Sequence, residues 1–108
     1  MGLNLLETTY KTLTELGAVQ TRSEFCREWL GRGEGYIRML RHHNQPPSID
    51  VVSVLRDRLR FYTLRYIEHG TKQDRMVATR YERLADECDQ FINSRSRSIW
   101  QSRVLEAI

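Results

Sequence analysis

The stretch TRSEFCREWLGRGEGYIRML, residues 21–40, decides how this chain is read. Thr21-Arg22-Ser23-Glu24 has the form of a capping box, in which a hydroxyl and a carboxylate three residues apart satisfy each other's exposed amides and start a helix. Phe25, Cys26, Trp29 and Leu30 then form an apolar stripe at helical spacing. Gly31, Gly33 and Gly35 interrupt the stripe, and Gly31 suits a turn because glycine tolerates a left-handed backbone. A further helix carries Tyr36, Ile37 and Leu40 inward. Two short helices joined by a glycine-containing turn make a helix-turn-helix.

The pattern outside this stretch is also helical. Leu6, Tyr10, Leu13 and Leu16 share one face of a helix over about Leu3 to Leu16, which Gly17 stops. Asn44 to Pro47 breaks the chain after the third helix. Ser48 caps a fourth, with Asp50 in its first turn, where the helix dipole favours negative charge. That helix can continue to Ile67, before Gly70, and Thr71 caps a fifth. Val77, Tyr81, Leu84, Cys88 and Phe91 recur at spacings of four and three residues, a heptad seam of barely two heptads. Packing within the chain and dimerisation both remain open for that seam. Ser94 to Ser98 reads as a polar break before a last short helix presenting Ile99, Trp100, Val104, Leu105 and Ile108. The expected fold is all-α, a five- to six-helix bundle with a central helix-turn-helix and a C-terminal helical extension. Residues 1–69 form the helix-turn-helix domain, and 70–108 supply C-terminal helices for packing or dimerisation.

With 108 residues, 40% hydrophobic and 29% charged, the composition is globular and not that of a disordered chain. No apolar run approaches the ~20 residues needed to cross a bilayer, so no membrane partner is expected. The N-terminus lacks a basic start followed by a long apolar stretch, and Leu6 stands where myristoylation wants Ser or Thr. Cys26 and Cys88 each fall on an apolar helix face, as buried thiols of a reducing cytoplasm would. The net charge is +3, and the surplus is local: residues 22–65 hold nine arginines against five acids. A basic stretch of that kind attracts a polyanion such as nucleic acid. Arg56, Arg58 and Arg60 on the fourth helix read as solvated or paired with Asp57.

No arrangement for catalysis, metal or cofactor binding emerges. His42 and His43 are adjacent on a helix and so point about 100° apart, unlike an i, i+4 ligand pair. Cys26 belongs to an apolar stripe, which argues against a nucleophile. Gly31-Arg32-Gly33-Glu34-Gly35 follows a helix and lacks the Lys-Ser/Thr of a nucleotide loop. Glu82, Asp86, Glu87 and Asp89, interspersed with Arg80 and Arg83, read as a solvated helix face. No enzyme is expected.

From Gly31 onward the residues resemble the Cro/phage-repressor (XRE-like) helix-turn-helix family. Gly31 matches the turn glycine, and Ile37 and Leu40 match the two buried positions of the recognition helix. Pro47-Ser48-Ile49-Asp50 resembles the Pro-Ser-Leu-Glu start of the next helix, with Leu55 and Leu59 as the leucines that follow. Cys26 lies five residues before Gly31 where the family has a small residue at four, so either the second helix or its turn carries one extra residue or Leu30 takes the place of the glycine. The resemblance implies a regulator that binds double-stranded DNA as a homodimer. Base contacts would come from Glu34, Gly35, Tyr36, Arg38 and Met39, and phosphate contacts from Arg32, Arg41, His42 and His43. Val77, Tyr81, Leu84, Phe91 and Trp100 would supply a dimer or partner interface. The alternative is a protein-interaction module, an antiactivator or adaptor, that keeps the frame and binds a protein partner through its C-terminal helices.

Overall fold

A computed structural model describes residues 2–107; Ile108, expected on the last apolar face, lies outside them. Five helices make up an all-α fold, and no strand occurs among the described residues. They are α1 (Gly2–Glu15), α2 (Arg22–Glu24), which runs directly into a π-helical segment (Phe25–Trp29), α3 (Tyr36–His42), α4 (Ile49–His69) and α5 (Lys72–Ala107).

The local stop and start signals act as physics requires. Gly17 has φ +76, its N–H donates to the Thr14 carbonyl at 3.1 Å, and Ala18 N–H donates to Leu13 at 2.9 Å. These two bonds satisfy carbonyls that the end of α1 leaves open. Asn44 closes α3 in the same way at φ 51, with Gln45 N–H donating to Leu40 at 2.9 Å. Ser48 Oγ accepts from Val51 N–H at 3.2 Å and Thr71 Oγ1 from Asp74 N–H at 3.0 Å, capping α4 and α5. At α2, Thr21 Oγ1 accepts from Glu24 N–H at 3.1 Å, but the Glu24 carboxylate accepts from Gln20 N–H, one residue before the amide expected.

One core holds the helices together. Leu6 and Leu13 of α1, Phe25, Cys26 and Trp29 of the π segment, Ile37 and Leu40 of α3, Val52, Leu55 and Leu59 of α4, and Tyr81, Leu84 and Cys88 of α5 form a continuous buried cluster. The heptad seam therefore packs within its own chain, with Val77 and Phe91 half-buried at its margins. Both cysteines are free and buried. No helix among the described residues is long and apolar enough to cross a membrane.

Three expectations are corrected. The polar run Ser94–Ser98 is no break: α5 continues through it for 36 residues, and the longest dimension of the molecule is 55 Å. Ser and Arg cost a helix only tenths of a kcal/mol each, and neither Gly nor Pro is present to stop it. Asp57 is not the partner of the α4 arginines. Arg56 donates to Asp89 Oδ1 at 2.9 Å, Arg60 donates to its other oxygen, and Arg58 donates to the Glu28 carbonyl. Asp89 thus clamps α5 to α4 rather than belonging to a solvated face, and Arg80 on the same helix reaches Glu15 of α1 at 2.8 Å.

Candidate nucleic-acid interface

α3 is positioned from behind by the π segment. Leu30 N–H donates to the Phe25 carbonyl at 3.2 Å, a five-residue step, and Arg32 N–H closes onto Cys26 at 2.9 Å. The widened turn lets Phe25, Cys26, Trp29 and Leu30 all enter the core. The Trp29 ring stacks near Tyr81 at 6.3 Å and against Tyr62 at 5.4 Å, while the Arg58 guanidinium lies 4.7 Å over it. Gly31 then takes φ +66, which allows the chain to leave the π segment and approach α3. Glu34 in the turn accepts from Ser23 Oγ at 3.1 Å, tying the turn back to α2.

α3 buries Ile37 and Leu40 and leaves the opposite side open. Arg38, Met39, Arg41, His42 and His43 are all exposed, as are Arg32 and Glu34 in the preceding turn. The Arg38 guanidinium folds back over Gly35, where an added Cβ would stand 3.2 Å from it, and no acidic partner for Arg38 lies among the described residues. The His42 and His43 rings meet edge to face with centroids 5.0 Å apart. Arg32 sits 6.0 Å over the Tyr36 ring.

Besides Glu34, bound to Ser23, two of the expected contact residues have duties within the chain. Tyr36 is half-buried, and its hydroxyl accepts from Ser48 N–H at 3.4 Å, which anchors α3 to the start of α4. Arg41 donates to Glu7 Oε1 at 2.7 Å. The other oxygen of Glu7 holds Arg22 at 2.7 Å, and Arg22 also covers the Tyr10 ring at 4.5 Å. This network raises the pKa of Arg22, chiefly through its hydrogen bond to Glu7. Arg22 is thereby linked to Arg41 of α3 through Glu7, a connection that sequence reasoning overlooked because it runs through a residue on α1. Tyr81 and Leu84, expected at an interface, are 2% and 4% exposed inside the chain's own core, whereas Trp100 is 55% exposed.

Over residues 6–101 the chain matches a family of unknown function, DUF6626. The chain belongs to that family. Neither a curated protein nor a solved structure matches it.

Proposed function

We propose that this DUF6626 protein is a sequence-specific DNA-binding regulator of bacterial or mobile-element type, which reads duplex DNA with α3. One observation carries the reading: α3 is seated by Ile37 and Leu40 and turns Arg38, Met39, His42 and His43 to solvent beside Arg32. A short helix held proud of its scaffold, with basic side chains along its free edge, suits insertion into a major groove about 12 Å wide. Arg38 is the residue for a paired contact to guanine, with Met39 beside it for apolar contact. Arg32, His42 and His43 are placed to meet phosphate oxygens and make binding salt-dependent. The resemblance to the Cro/phage-repressor family fits this frame, since the widened π turn accommodates the one extra residue between Cys26 and Gly31.

A second reading, a protein-interaction module, is favoured by the end of α5. There Trp100, Val104 and Leu105 are 55%, 48% and 72% exposed, an apolar surface that DNA would not cover.

Selection from a random duplex pool decides between them. Enrichment of one sequence by the intact chain, lost in Arg38→Ala while the helical signal is kept, supports the regulator. Equal, weak retention of all duplexes by both proteins overturns it.

A further inference from the structure

Besides Ile67, which is 51% exposed at the flank of α4, three apolar side chains on this helix have no cover: Val54, Phe61 and Leu64 are 51%, 55% and 61% exposed. At about 100° per residue they lie on the side of α4 opposite the buried Val52, Leu55 and Leu59. Asp57, Arg65 and Glu68 share that outer face and are exposed. None of the three makes an ion pair with any described residue. Asp57 and Arg65 cannot serve each other, because eight residues of helix separate them by about 12 Å.

The order of these residues is self-complementary. Asp57 stands four residues before Phe61 and Arg65 four after it, so the three form a row with about 40° between neighbours. Reversing α4 about an axis through Phe61 exchanges the positions of Asp57 and Arg65. A two-fold interface requires one patch to complement itself in this way, acid meeting base at both ends and the apolar residue meeting its own copy at the centre. Arg65 now rests 5.8 Å from its own Phe61 ring, within reach of the axis.

We propose that the outer face of α4 is a homodimer interface whose two-fold axis passes through Phe61, with Asp57 of each copy paired to the partner's Arg65. The occupant is a second copy because the charge order matches its own reverse. The proposal stands apart from the reading of α3, since its test contains no DNA.

Sedimentation of the full chain over a concentration series should show a monomer–dimer equilibrium. Asp57→Arg should weaken dimerisation at least tenfold, about the cost of facing two like charges. Arg65→Asp should do the same, and the doubly reversed chain should return to within about threefold of the original. Phe61→Cys should cross-link to itself under mild oxidation, because only a residue on the axis meets its own copy. Val54→Cys should not, and Cys26 and Cys88 are buried and give no background. All substituted positions are exposed, and circular dichroism checks that the fold persists. A chain that stays monomeric at every concentration overturns the proposal and leaves the face to a different protein. A dimer indifferent to the single reversals, or one that the double reversal fails to restore, overturns it equally.

Discussion

Glu7 of α1 holds Arg41 of α3 at 2.7 Å, across 34 residues of sequence. The pair fixes the end of the proposed DNA-reading helix, and it also places a carboxylate beside a surface meant to approach phosphates. Glu7→Gln keeps a hydrogen-bonding oxygen but removes the charge. Duplex affinity should rise about threefold, and the slope of log affinity against log salt should steepen by about one, as Arg41 becomes free to neutralise a phosphate. Anisotropy titrations at several salt concentrations check this, and an unchanged slope would separate Arg41 from the DNA. Stability should change little, since exposed ion pairs contribute about 0–1 kcal/mol.

Gly31 and Gly33 sit two residues apart and should respond differently to alanine. Gly31 has φ +66 with open space around it, so Gly31→Ala should cost about 1–2 kcal/mol from backbone strain alone. Gly33 also has open space but no left-handed backbone, so Gly33→Ala should fall within about 0.5 kcal/mol of the parent. Urea midpoints report both, and equal losses would count against the turn as described.

The two tryptophans should be distinguishable by quenching. Trp29 is 4% exposed within the Tyr62–Tyr81 cluster, and Trp100 is 55% exposed near the end of α5. Iodide should quench most of the emission of Trp29→Phe and little of that of Trp100→Phe. The reverse pattern would mean that the tip of α5 is covered in solution.

Stability should hold at neutral pH and fall towards both extremes, for separate reasons. Hydrogen bonds from Arg56, and then from Arg60, hold the Asp89 carboxyl below its ordinary 3.8. The Arg80 hydrogen bond does the same for Glu15 below 4.5. Their unfolded forms take up protons first, so the stabilisation is present above about pH 5 and is lost as pH falls through the folded values. Burial pushes the Cys88 thiol from 9.0 up to about 12, helped by the Asp89 and Glu87 carboxylates. Above pH 9 the unfolded thiol ionises while the folded one does not, so stability falls as pH rises. Asp89→Asn should flatten the acid limb and also weaken the alkaline one, because the Asp89 charge contributes to the upward shift of Cys88, measured as thermal midpoints between pH 3 and pH 10.

What the sequence revealed was what short-range physics decides. Thr21, Gly17, Ser48 and Thr71 each act on atoms within five residues, so their caps were readable from neighbours alone. The buried side of α3 followed from spacing, because Ile37 with Leu40 can face only one way, and that of α4 from the resemblance that singled out Leu55 and Leu59. The π segment was visible only as one residue too many before Gly31, since nothing in Phe25–Trp29 itself forbids an ordinary helix. Arg41 bound to Glu7 and Asp89 bound to Arg56 and Arg60 were invisible, because tertiary packing chooses between chemically equivalent carboxylates. For the same reason the seam at Tyr81 and Leu84 could not reveal whose surface it met. At Ser94–Ser98 the polar run suggested a stop, but polarity alone does not end a helix.

The direct joining of α4 to α5 through Gly70 and Thr71 has a kinetic consequence. Residues that meet across this pair near the turn are close in sequence, so the ordering cost of bringing them together is small. The hairpin can form early, on the timescale of local loop closure, and offer Leu55, Leu59, Tyr81 and Cys88 as a template. α1 must travel furthest to dock, with Arg80 catching Glu15 across 65 residues. Amide exchange should therefore be slowest in the middle of α4 and α5 and faster in α1, which would leave α3 resting on a less protected helix than the hairpin.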